Sequence, residues 1–131
     1  MHPRAQHLID TLALAPHPEG GWYRQVFKSN ERVTRHADGA DRAALTTIYF
    51  LLVAGTFSAW HRVQSDEVWH FYEGDALELT IRGEAPVILG YERHVHVVPA
   101  GAWQSARPLG EYVLAGCTVG PGFEFDDFEM E

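Results

Sequence analysis

The chain has 131 residues, a length that fits one domain and supports a core without disulfide staples. Its 18 acidic residues against ten basic ones give a net charge of -8, which disfavours a nucleic-acid backbone or an anionic membrane as partner. The lone cysteine, Cys117, excludes an intramolecular disulfide and reads as a buried structural thiol between Gly116 and Thr118. The N-terminal residues lack an apolar run, so no leader is expected, and the longest apolar run, Ile48 to Gly55, is too short to span a bilayer. A cytoplasmic protein is the expectation.

In chain order, Leu8, Ile9, Leu12 and Ala13 lie on one face of a short helix over Ala5–Leu14, ended by Pro16 and Pro18. Glu19-Gly20-Gly21 then reads as a tight turn feeding a strand from Trp22 through Phe27. Asn30 to Asp41 is polar and is expected to be a mobile loop. Thr46 to Val53 is β-branched and aromatic, hence a strand. Further strands are expected at Phe57–Val63, Val68–Tyr72, Leu77–Ile81, Val87–Tyr91, Val95–Val98 and Tyr112–Val119. The acidic tail from Glu124 alternates with Phe125 and Phe128 and reads as a last strand or cap with a solvated face. Short strands with Gly or Pro between them and no intervening helices predict an all-β sandwich or barrel, a single domain over residues 1–131.

The spacing from Gly55 to Gly74 carries the chemistry. His61, Val63 and Glu67 stand where the first motif of the cupin superfamily has two His and a Glu, and Pro99-Ala100-Gly101-Ala102-Trp103-Gln104 resembles the second motif, which ends on a His. Residues i and i+2 of a strand share a face, and a hairpin can return the Glu to that face, so the cupin pattern suits a divalent metal. Here the metal set would be His61, Glu67 and Gln104. Val63 and Gln104 replace two imidazoles, so a tightly bound cofactor is not expected, although a divalent metal is possible.

A finer resemblance is to the cupin-5 family. It is carried by Glu19-Gly20-Gly21-Trp22-Tyr23, Thr47 to Leu52, Ser65 to Tyr72, Val98 to Gln104 and Gly116 to Phe123, five blocks in order. The resemblance implies a double-stranded β-helix, a cupin or jelly-roll barrel with a short N-terminal helix, related to germins and sugar epimerases. It also implies a homodimer, and no settled reaction.

Strand parity places Phe57, Ala59, His61 and Val63 on the inner face, followed by Glu67, Trp69 and Phe71. Val68, His70 and Tyr72 take the outer face. A β-bulge would exchange the two sets, and the family block keeps Glu67 and His70 together, so His70 stays a candidate. The candidate catalytic residues are therefore Glu67, His61 and His70. A Glu among aromatic rings should have a raised pKa, the tuning a general acid or base needs. Gln104 offers a two-way hydrogen bond to a ligand, and Trp69, Phe71, Trp103 and Tyr49 are candidate ring contacts. The Trp residues read as core or dimer interface ahead of ring contacts, and His94 and His96 read as the solvent face of a strand.

These residues predict a cupin binding a small polar metabolite that carries a sugar or purine ring, with isomerase- or epimerase-like acid/base chemistry. A divalent-metal-dependent enzyme using His61, Glu67 and Gln104 and a non-catalytic ligand-binding module are the alternatives.

Overall fold

The computed structural model describes all residues from Met1 to Glu131. Helix α1 (Pro3–Leu12) precedes β1 (Ala15–Pro16), β2 (Trp22–Lys28), β3 (Arg32–Thr34), β4 (Asp41–Ala43) and β5 (Thr46–Val53). Then come β6 (Ser58–Val63), β7 (Asp66–Gly74), β8 (Leu77–Ile81), β9 (Val87–Leu89) and β10 (Val95–Val98). β11 (Gln104–Pro108), β12 (Tyr112–Gly120), a 3-10 turn η1 (Phe125–Asp127) and β13 (Phe128–Met130) complete the chain.

The strands form a six-stranded sheet, β1-β2-β5-β12-β7-β10, and a five-stranded sheet, β13-β6-β11-β8-β9. Neighbouring pairs are antiparallel, and the sheets face each other as a jelly-roll sandwich that is not closed into a barrel. Between them lies a core including Phe50, Leu52, Trp69, Phe71, Leu77 and Leu79. The alternation in β5 sends Phe50 and Leu52 inward, while Leu51 joins Leu8, Ile9 and Leu114 in a second cluster beneath α1. No helix is long and apolar enough to cross a membrane.

Helix α1 starts two residues earlier than the periodicity suggests, because Pro3 suits the first helical turn and His2 Nδ1 accepts the Arg4 N–H. It stops at Ala13, which turns left-handed, before either proline is reached. Residues 30–41 are not a featureless loop: β3 pairs with β4 in a two-stranded hairpin. The Arg35 guanidinium, buried at its turn, binds Asp38, Ser65 and Asp127 and anchors the hairpin to the main body. Strand β11 is not legible from the sequence: Gln104-Ser105-Ala106-Arg107-Pro108 has little β propensity and is extended because both edges are paired, to β6 and to β8.

Candidate functional site

One end of the sandwich holds a cavity of about 170 Å³. Its polar lining includes His17, Glu19, His61 and Glu67. Its apolar lining includes Tyr23, Val63, Phe123, Phe125 and Phe128, and no Lys or Arg reaches it.

Each polar group is placed by a local device. Glu19 precedes Gly20 and Gly21, whose φ angles are 111° and 74°, a region where side chains are strained. A Cβ on Gly20 would also collide with the Phe57 carbonyl, so the turn can lie against β6 only with glycine there. That turn leaves the Glu19 carboxyl beside Ser58 and 3.3 Å from His61 Nε2. His17 closes the same turn: its Nδ1 accepts the Glu19 N–H at 3.1 Å and lies 3.3 Å from Glu19 Oε1.

Strand β6 departs from simple alternation. Gln104 pairs with His61 and Ala106 with Ser58, so three steps along β6 match two along β11. This bulge turns both Ser58 and His61 inward and leaves both buried. The expected inward position of Phe57 is corrected by the same feature: Phe57 is 61% exposed.

Strand β7 keeps strict alternation from Glu67 to Phe71, so Glu67, Trp69 and Phe71 are buried. Glu67 Oε1 accepts Gln104 Nε2 at 2.7 Å, and Gln104 Oε1 accepts the Trp69 indole N–H at 2.9 Å. Burial pushes the Glu67 carboxyl up, partly offset by the hydrogen bond from Gln104. Burial, reinforced by the Glu67 charge, pushes Glu19 well above the usual carboxyl range. Burial lowers His61, and burial together with nearby His61 pushes His17 down to about 4. Burial thus works against charge on all four groups, and at Glu67 the Gln104 donor works the other way.

A family model described as Cupin superfamily (DUF985) matches residues 6–131. The chain belongs to the cupin-5 family. A hypothetical protein from Leishmania major has a structure 33% identical, with a TM-score of 0.91 over 97% of this chain and 86% of that one. A protein from Shewanella oneidensis is 35% identical, with a TM-score of 0.87 over 97% of this chain and 84% of that one. KdgF from Halomonas sp. shares the fold at 16% identity, with a TM-score of 0.65 over 86% of this chain and 90% of that one. No protein of curated function matches the chain.

As a cupin-5 chain it has the superfamily's metal positions, but the residues there do not fit a metal. Val63 lines the cavity without a donor atom, and the Gln104 carbonyl oxygen is already taken by Trp69. No three His, Cys, Asp or Glu side chains are grouped to hold an ion. His61 and Glu67 line the cavity, and Gln104 pairs with His61 between β11 and β6, yet Gln104 turns its amide N–H, not its oxygen, towards Glu67.

Of the other expected site residues, His70 does not reach the cavity. Its bulge lies beyond it: the register with β12 shifts between Phe71 and Glu73, so His70 stays on the outer face and stacks with Tyr72 at 6.4 Å. Tyr49 packs against Tyr72 on that same face. Trp69 and Phe71 are core residues, edge-on to Phe50 and Tyr91 respectively. Trp103 lies under the guanidinium groups of Arg62 and Arg82, outside the cavity. The aromatic wall comes instead from Phe123, Phe125 and Phe128, whose rings pack edge-on at 5.0–6.2 Å.

Sequence reasoning missed Glu19 and His17. The one available signal was a Glu before two glycines: an acidic residue held by a turn that glycine alone allows.

Proposed function

We propose that this cupin-5 protein binds a small polar metabolite carrying a sugar or purine ring and performs isomerase- or epimerase-type proton transfer on it, with Glu67 and His61 as proton-transfer groups. The observation that supports this reading is that Glu67 and His61 line the same cavity, each tied by a hydrogen bond to a fixed partner. Preorganised acid and base groups beside an aromatic wall suit a ligand with one apolar face and an acidic C–H next to a carbonyl. On this reading the protein works as a cytoplasmic homodimer.

The test is incubation of the protein with candidate ring-bearing metabolites in deuterated water, with solvent deuterium in the substrate read by NMR. Glu67→Gln should slow the exchange about 100-fold while affinity changes much less. A ligand held tightly without any exchange would make the protein a binding module instead.

A further inference from the structure

We infer that Glu19 holds a proton hydrogen-bonded to Nε2 of His61, and that this pair is the acid half of the site for which Glu67 is the base. The role of the proton rests on the proton-transfer reading above; its location rests on hydrogen-bond direction and on the burial of both groups.

His61 Nδ1 lies 2.7 Å from the Ala59 carbonyl oxygen. A carbonyl only accepts, so the ring carries its proton on Nδ1. A neutral imidazole then has a bare lone pair on Nε2, the atom that faces Glu19 Oε2 at 3.3 Å. His17 is fixed the other way. Its Nδ1 accepts the backbone N–H of Glu19, so its own proton sits on Nε2, and another lone pair faces Glu19 Oε1. An ionised Glu19 would therefore meet two imidazole lone pairs, with the Ser58 hydroxyl as its side-chain donor. One proton between Oε2 and Nε2 removes the conflict.

That proton rests on Glu19 rather than on His61, because burial disfavours charge on both groups and the Glu67 carboxylate raises Glu19 further. The groups that face Glu19 are Ser58 and His61 of β6 and His17 of its own turn, with Glu67 of β7 and Cys117 of β12 acting on the same cavity.

Glu67 has the opposite surroundings. Gln104 cannot flip, because Trp69 needs its oxygen, so an amide N–H is aimed at Glu67 Oε1. The Cys117 thiol borders the same cavity. A fixed amide donor stabilises a carboxylate and a facing lone pair does not, so Glu67 ionises before Glu19.

The Glu67 carboxylate takes a proton from carbon beside a substrate carbonyl, and the C–H electron pair becomes a C=C bond. The carbonyl π pair moves to oxygen, which takes the Glu19 proton. The lone-pair conflict then returns at Glu19, which recovers the proton as the enol collapses and carbon is reprotonated.

Histidine ¹⁵N NMR of the unmodified protein at pH 7 should show opposite tautomers, Nδ1–H for His61 and Nε2–H for His17, with both rings uncharged and His17 charging only towards pH 4. The infrared band of a protonated carboxylic acid should be present at pH 7, survive in Glu67→Gln and vanish in Glu19→Gln. A doubly protonated His61 at pH 7, or an acid band lost in Glu67→Gln and kept in Glu19→Gln, would overturn the assignment. The NMR measurement does not depend on either variant folding. Absence of solvent exchange into every metabolite would remove the proposed activity and leave these spectra as they are.

Discussion

Gln104 joins Glu67 to Trp69: its amide nitrogen donates to Glu67 Oε1 at 2.7 Å and its amide oxygen accepts from the indole N–H at 2.9 Å. All three side chains are buried, so neither bond can be replaced by water without opening the core. The position that carries a metal-binding His in the cupin motif is here a spacer that holds an amide donor against a buried carboxyl.

Gln104→Leu strands the Trp69 N–H and removes a donor from Glu67. At about 1–3 kcal/mol for each buried group left unpaired, the expected loss is about 3 kcal/mol in urea unfolding. Adding Trp69→Phe, which deletes the stranded donor, should not add its full separate cost, because the two residues share one bond. Strict additivity in the double-mutant cycle would show that the bond does not contribute.

The aromatic wall depends on a charge cluster outside the cavity. Asp127, at the end of η1, accepts from both Arg35 and Arg42 at 2.8–2.9 Å, and this clamps the turn that carries Phe125. Burial alone would raise the Asp127 carboxyl, but the two guanidinium groups override it and hold it well below its ordinary range. Asp127→Ala leaves Arg35 buried without that partner and should cost about 3–5 kcal/mol. The clamp's contribution should be complete above the ordinary Asp pKa of about 3.8 and fall as pH drops below it, because the depressed pKa belongs to the folded state. An Asp127→Ala protein as stable as its parent at pH 7 would mean the cluster does not hold the turn.

The pocket groups should leave opposite marks on the pH dependence of stability. His17 is held near 4 when folded and returns to about 6.5 when unfolded, so the unfolded chain binds more protons between those values. Stability therefore falls as pH drops from about 6.5 to about 4. His17→Asn keeps an acceptor for the Glu19 N–H and should flatten that slope. Glu19 is raised when folded, so the unfolded chain loses its proton first and stability falls as pH rises above 4.5. Glu19→Gln should remove that decline. Thermal melts of the three proteins across pH 4–8 give the slopes; unchanged slopes in either variant would contradict the shift assigned to that residue.

Metal binding should be restorable. Val63 is buried, lines the cavity and shares an inward face with His61. Purified protein should hold well under one transition-metal ion per chain, since two first-motif donors and an engaged amide make a poor site. Val63→His combined with Gln104→His should bring the donor count to four and raise cobalt affinity by about 100-fold or more, read from the visible spectrum of the bound ion. Equal cobalt affinity in parent and variant would show that the missing imidazoles are not what limits binding.

Much of the fold could be read from strand chemistry. Thr46–Val53, Leu77–Ile81 and Val95–Val98 are strands at the expected boundaries, because alternation and β-branching act within the segment itself. Parity also assigned Glu67, Trp69 and Phe71 to the inner face and His70 to the outer one. It failed in β6, where one extra residue reversed the faces of Phe57 and Ser58, and nothing in Thr56-Phe57-Ser58-Ala59 announces a bulge. The hairpin over Arg32–Ala43 failed for another reason: its order comes from Asp127, a residue 92 positions from Arg35.

By itself the sequence determined the fold family, the inward face of β7, and the presence of His61 and Glu67 near one another, because side-chain period and motif spacing are local properties. The tertiary structure alone decided what surrounds them. Glu19 and His17 lie more than 40 residues before His61, yet a glycine turn lays them against β6. The three Phe residues of the wall come from the far end of the chain. Desolvation, hydrogen-bond direction and the order in which carboxyls ionise depend on which groups meet in space, and that meeting is made by sheet packing rather than by any stretch of sequence.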